Sequence, residues 1–311
     1  MQVTVFGVGG VGGFLAAKLG GLLGEKGGPV SGLSIVARGA HLEAIKARGL
    51  SLTSPDGSKR TVRPTAAAED PRDLPTADLI LLCVKGYDLD AAADALGPSL
   101  TPNTVLLPLL NGADIDERLR SRLPGVTVLP GCIYISAFIE EPGSIRHAGG
   151  PGKVFAGPGT EGVPWDPSQF LDACRRAEIP VEWKEDVLPA VWEKFLFIAP
   201  FSLVTAVSGE SVGGVLSTET LREDAQSIVA EATEIARRKG IQLPGDIVEA
   251  TMGKAASFAP ETRTSFQRDV EASKPLDERE SFSGTILRLA KGFDVATPVT
   301  RRYADALPRN R

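Results

Sequence analysis

Near the start of the chain, Gly7-Val8-Gly9-Gly10-Val11-Gly12 forms a G-x-G-x-x-G pattern. It follows the apolar segment QVTVF and opens a run of helical character, which is the context in which the pattern binds a dinucleotide. Glycine permits the tight turn and lets the backbone approach a pyrophosphate. The helix that follows offers amide donors and partial positive charge at its N-terminus. Outside that context the same residues would be a turn without a ligand. A second position bears on which dinucleotide is bound. NAD sites commonly carry an Asp or Glu at the end of the second strand, for the ribose 2′-hydroxyl. This chain reads Ser34-Ile35-Val36-Ala37-Arg38-Gly39 there. Arg38 stands where a cation would meet a 2′-phosphate, which selects NADPH; the alternative is a surface arginine on a loop.

Other residues could take part in chemistry. Lys85 closes the apolar run DLILLCV, and Asn111 with Gly112 closes TVLLPLL. Ligands of open α/β sheets bind beyond the carboxyl ends of strands, so both are placed for cofactor or substrate, or else they are solvated strand ends. Lys194 lies in VWEKFLF, between Trp192 and Phe195. A lysine in apolar surroundings can have a lowered pKa and donate a proton near neutral pH; on the solvent side of a packed helix it would do neither. Helical spacing puts Ile198 and Ser202 on its face. Ser265 and the acids Asp277, Glu278 and Glu280 come late, and the run DERE alone reads as a solvated helix start. Cys83, inside an apolar strand, reads as a small core residue.

These residues must be held by a fold. In the first half, strands are expected at Gln2–Phe6, Leu33–Ala37, Asp78–Val84 and Thr104–Leu110, with further ones at Val126–Ala137 and Lys153–Ala156. Helices are expected from the glycine loop to about Leu23, at His41–Arg48 and at Asp88–Leu96. Such alternation predicts an α/β fold with a doubly wound, mostly parallel sheet, the late strands being antiparallel additions. From Asp186 onward the pattern is helical: Val187–Val207 with Pro200 inside, Ser217–Lys239 ended by Gly240, then Asp246–Phe258, Arg263–Ala272 and Glu278–Lys291. The expected domains are 1–185, binding the dinucleotide, and 186–311, all helical and carrying substrate and catalytic groups.

Composition narrows the classes of function. The 311 residues are 42% hydrophobic and 23% charged, with a net charge of −5, so a disordered chain is excluded and nucleic acid is not the expected partner. Cys83, Cys132 and Cys174 are few and scattered, against a disulfide framework. Two histidines, His41 and His147, give zinc chemistry or a histidine triad little to work with, and no metal is expected. The N-terminus lacks a basic region and is broken by glycines, unlike a signal peptide. No membrane span is expected, and the expected location is cytoplasmic.

Taken together and in order, these segments resemble the 2-dehydropantoate 2-reductase (ketopantoate reductase) family. The resemblance runs through GVGGVG, VARGAHLEAIKARGL at 36–50, LLCVKGYDL at 81–89, LLNGAD at 109–114, PGSIRHAG at 142–149, VWEKF at 191–195 and TSFQRDVEASKPLDE at 264–278. It implies a Rossmann domain followed by a helical domain like that of 6-phosphogluconate dehydrogenase, with the active site in the cleft between. It implies reduction of 2-dehydropantoate to (R)-pantoate by NADPH, in pantothenate and coenzyme A synthesis. By the same resemblance Arg38 is the 2′-phosphate ligand, Lys85 a cofactor contact, Asn111 a residue beside the nicotinamide, Lys194 the general acid and Ser265 a substrate ligand. The family's substrate-holding glutamate falls on Asp277 counted from KP, and on Glu278 counted back from Gly284.

The chain departs from the pattern at two places. Ile198 stands where the pantoate-forming enzymes have an asparagine, and no asparagine occurs near Val212-Gly213-Gly214, where they have another. The pocket is thereby more apolar, although Ser202 can replace part of the missing polarity. Three functions follow in order of expectation: the pantoate-forming reductase, an NADP(H) oxidoreductase of the same family with another small 2-oxo or hydroxy acid, and a non-catalytic NADPH-binding regulator. The expected partners are a small 2-oxo acid and, at most, a second copy of the chain in a homodimer.

Overall fold

A computed structural model describes residues 1–159 and 165–308. In chain order its strands are β1 (Gln2–Phe6), β2 (Gly32–Val36), β3 (Leu50–Thr53), β4 (Lys59–Val62), β5 (Ala66–Ala68), β6 (Leu79–Leu82), β7 (Val105–Pro108), β8 (Thr127–Val128), β9 (Gly131–Glu141), β10 (Ser144–Ala156) and β11 (Val181–Trp183). The helices among them are α1 (Gly10–Gly20), α2 (Gly39–Arg48), α3 (Leu89–Leu96), α4 (Ile115–Arg122) and α5 (Ser168–Arg176). The chain divides into two compact units, one of residues 1–110 and 115–187, the other of 111–114 and 188–311.

The first unit is built on a six-stranded sheet of order β5-β2-β1-β6-β7-β8, in which every pairing is parallel. Its central strands are buried on both faces. Leu79 and Leu81 of β6 enter one core with Val3, Val5, Leu33 and Ile35, while Ile80 and Leu82 enter another with Phe6, Val36 and Leu106. The two-residue side-chain period of a strand produces this split. It explains why DLILLCV reads as a continuous apolar run.

The late strands differ from the sequence expectation. Val126–Ala137 is not one strand: β8 ends the parallel sheet, and β9 belongs to a second sheet of order β11-β10-β3-β4 with β9 on β10. The β9–β10 pairing is antiparallel as expected, yet β10 also runs parallel to β3 and to β11. The hairpin of β3 and β4 carries little periodicity because Lys59, Arg60 and Thr61 are all exposed. Helix α1 packs against strands of both sheets. It stops at Gly20, before the expected Leu23.

The second unit is helical: α6 (Leu188–Ser208), α7 (Val212–Ser217), α8 (Glu219–Arg238), α9 (Ile247–Ala256), α10 (Ser265–Glu271), α11 (Ser283–Phe293) and α12 (Pro298–Ala306). Helix α6 is its axis and packs against α8, α9, α10 and α12. It is long and apolar enough to cross a membrane, but 78% of its apolar window is buried within the protein, as in a core helix. Helix α12 is absent from the sequence expectations. Its N-terminal amides are capped from afar, Val299 and Thr300 donating to the Glu231 carboxylate of α8 at 2.8 and 2.9 Å.

Candidate active site

The glycine loop joins β1 to α1, and each glycine has a separate reason to be there. Gly7 has a φ of +90°, which side chains rarely adopt, and a Cβ on it would press against the Cys83 and Val84 backbone at 2.9 Å. A Cβ on Gly12 would lie 2.1 Å from the Gly7 carbonyl oxygen, and one on Gly10 would lie 2.0 Å from that of Ala137. Gly9 is the exception: nothing lies within 4 Å of where its Cβ would be. Three glycines are therefore required by packing, while Gly9 borders open space at the N-terminus of α1. No side chain caps that terminus, and no acid lies in its first turn. These features fit a pyrophosphate, which needs free amides and a backbone it can approach. Val8 is buried in the core and Val11 is half-buried, so they hold the loop.

Arg38 follows β2 directly at the start of α2, with its side chain 70% exposed. Its Nη2 donates to Asp88 Oδ2 at 2.9 Å. Asp88 was not singled out from the sequence; its only signal is its place three residues after Lys85, in VKGYD. Lys85 lies beyond β6, exposed, and its carbonyl accepts from the Asp88 amide at 2.9 Å. Cys83 is buried and free, and burial pushes its thiol pKa well up, as suits a core residue.

In the second unit the structure brings Lys194 and Asn111 together. Lys194, on α6, is 8% exposed, and its Nζ donates to Asn111 Oδ1 at 2.9 Å. The short segment 111–114 is anchored on the helices. Buried Asp114 accepts from Arg288 Nε and Nη2 at 2.9 and 2.7 Å, and from the Thr285 hydroxyl at 3.3 Å, both on α11. Sequence reasoning missed this clamp, because Asp114 and Arg288 lie 174 positions apart. Ile198 is partly buried against the helical core and Ser202 is buried, one and two turns on from Lys194 along α6.

Ser265 is exposed at the first position of α10. Thr264 caps that helix, accepting from the Gln267 amide at 3.1 Å, and its hydroxyl meets Thr205 of α6 at 3.1 Å. Gln267 donates to the carbonyls of Gly209 and Glu210, both at 3.1 Å, so α10 is pinned to the end of α6. Both acids are buried. Asp277 accepts three hydrogen bonds from Arg279, at 3.1, 2.8 and 2.7 Å, and its side chain is 2% exposed. Glu278, also buried, starts the turn Arg279–Ser281. The DERE run is thus not a solvated helix start. Among the described residues no group of His, Cys, Asp and Glu could hold a metal ion.

A glycine loop of this build on an all-parallel sheet defines a Rossmann-type dinucleotide-binding protein, here joined to a helical unit with a buried lysine. Residues 3–161 match the family model described as Ketopantoate reductase PanE/ApbA, and residues 186–309 match its C-terminal counterpart. A 2-dehydropantoate 2-reductase of Mesorhizobium japonicum is 28% identical, covering 96% of this chain and 94% of that one. One of Halobacterium salinarum is 30% identical, covering 98% and 97%. The crystal structure of 2-dehydropantoate 2-reductase from Porphyromonas gingivalis W83 is 31% identical with a TM-score of 0.83, covering 97% of each chain. The chain belongs to the ketopantoate reductase family and is an oxidoreductase.

Proposed function

We propose that the chain reduces 2-dehydropantoate to (R)-pantoate with NADPH, Lys194 acting as general acid. The observation that carries this reading is the buried Lys194 held by Asn111. Bound NADPH supplies the hydride for the carbonyl carbon of the 2-oxo acid. Gly7–Gly12 and the amides of α1 hold the pyrophosphate, and Arg38 meets the 2′-phosphate, with Lys85 a further cofactor contact. As charge develops on the carbonyl oxygen, the Lys194 ammonium stabilises it and then donates its proton. Asn111 keeps that ammonium oriented. Ser265 and Ser202 serve as substrate contacts. Asp277 or Glu278 holds substrate; both are buried, and the Asp277 carboxylate is engaged by Arg279. The domain assignment is 1–185 for cofactor and 186–311 for substrate. The reaction belongs to pantothenate synthesis in the cytoplasm, and a partner chain, if any, is a second copy in a homodimer.

A second reading is favoured by Ile198, which puts an apolar side chain one turn from Lys194. A buried hydroxyl without a partner costs about 1–3 kcal/mol, roughly one to two decades in kcat/KM. The test is NADPH oxidation over a panel of 2-oxo acids with and without the terminal hydroxyl. An advantage of more than roughly tenfold for 2-dehydropantoate supports the first reading. Faster turnover of hydroxyl-free branched acids supports another 2-oxo acid as substrate. If no acid in the panel supports oxidation, the catalytic reading is wrong.

A further inference from the structure

In the parallel sheet the order β2-β1-β6 places β1, and the glycine loop that leaves it, between the strands that deliver Arg38 and Asp88. The Arg38–Asp88 ion pair therefore bridges the carboxyl end of β1, on the edge where a dinucleotide lies. The turn after β6 thus brings an acid, Asp88, into contact with Arg38. The Arg38 side chain is 70% exposed, whereas the Asp88 side chain is 26% exposed.

We propose that Asp88 is a specificity residue of the dinucleotide site: it opposes a 2′-phosphate on Arg38 and accepts a 2′-hydroxyl, so that NADH remains a usable cofactor beside NADPH. The inference rests on the proposed reading of Arg38 as the residue at the adenosine ribose. An anion docked on this guanidinium lies well inside the Debye length of about 8–10 Å from the Asp88 carboxylate, so the two repel without full screening. A phosphate recognised through Nη2 also shares that nitrogen's two N–H donors with the carboxylate. A ribose hydroxyl has neither difficulty. It is neutral, and it donates to a carboxylate as it does where the acid stands at the end of the second strand. The opposite role, in which Asp88 orients Arg38 for the phosphate, has the opposite sign.

The experiment measures the Kd of NADPH and of NADH by calorimetry at one fixed salt concentration. It compares the natural chain with Asp88→Asn, Asp88→Glu and Arg38→Ala. Removing the Asp88 charge is expected to tighten NADPH by about 3- to 10-fold, from the Coulomb energy of partly solvated charges, and to leave NADH unchanged or weaker. Asp88→Glu keeps the charge and is expected to keep the natural ratio of the two Kd values. Weaker NADPH binding in Asp88→Asn, or an unchanged ratio, overturns the inference. Arg38→Ala separates the two failures. If it leaves NADPH binding intact, the reading of Arg38 itself fails. If it weakens NADPH while Asp88→Asn does nothing, only the role of Asp88 is lost.

Discussion

In the glycine loop, six consecutive residues carry the packing that fixes their own backbone, whereas Lys194 meets Asn111 from 83 positions away. The loop's specifications are local: a positive φ at Gly7, close contacts at Gly10 and Gly12, open space at Gly9. The lysine pair depends on a further contact, the grip of Arg288 on Asp114, which fixes the segment carrying Asn111. Backbone geometry makes the first site hard to alter without unfolding it. A chain of side-chain bonds makes the second sensitive to changes far from Lys194.

The sharpest test of this contrast lies within the loop. Gly10→Ala puts a Cβ into the Ala137 carbonyl oxygen, and overpacking against backbone is expected to cost about 3 kcal/mol or more and to abolish dinucleotide binding. Gly9→Ala meets nothing, so its stability is expected within about 0.5 kcal/mol of the natural chain. Its NADPH affinity is nonetheless expected to fall, because the methyl group occupies the ligand's space. Urea melts and calorimetric titration of both variants check this. Unchanged NADPH affinity in Gly9→Ala would show that the open space at the helix terminus has no ligand to hold.

How much of this was legible in the sequence follows the same division. The glycine loop and the central strands are readable because their determinants are contiguous or recur every second residue, as in Leu79–Leu82. The hairpin of β3 and β4 was hidden by exposed polar residues. Helix α12 was hidden because the carboxylate that caps it, Glu231, stands 68 positions before Val299. Lys194 and Asn111 were each singled out, but no local pattern pairs them. The same holds for Arg38 with Asp88, which lie on either side of β1 and 50 positions apart. Arg279, whose side chain folds back onto Asp277, is likewise invisible to a count from KP or from Gly284.

Arg288→Ala probes the second region. It leaves the Asp114 carboxylate buried without its cation, at an expected cost of about 2 kcal/mol, below the range for a fully buried pair because the Arg288 side chain is 41% exposed. Turnover is expected to fall as well, since Asn111 loses its anchor, while NADPH affinity is kept. Equal losses of NADPH affinity and turnover would break the separation of the two regions. Glu231→Gln weakens a helix cap and is expected to cost about 1 kcal/mol in thermal or urea unfolding, without a change in KM.

The smallest effect concerns pH. Burial holds the pKa of His41 below its ordinary 6.5, with the Val8 carbonyl acting weakly in the other direction. Its neutral Nδ1 accepts from the Gly143 amide at 3.0 Å. The folded state therefore binds fewer protons here than the unfolded state. This stability is complete above pH 6.5 and is lost as pH falls through the lower, folded-state pKa. His41→Asn is expected to flatten that part of the melting curve against pH; an unaltered slope assigns the pH dependence to other groups.

The proposed division of labour places cofactor binding in the glycine loop and proton donation in Lys194. It is tested most directly on Lys194→Ala, by measuring NADPH affinity and the rate of 2-oxo acid reduction on the same preparation. An unchanged Kd for NADPH is expected, with a kcat lower by about 10²- to 10⁴-fold, the usual contribution of a general acid. Turnover close to that of the natural chain, with NADPH bound as before, would contradict it and leave Lys194 as a buried structural residue.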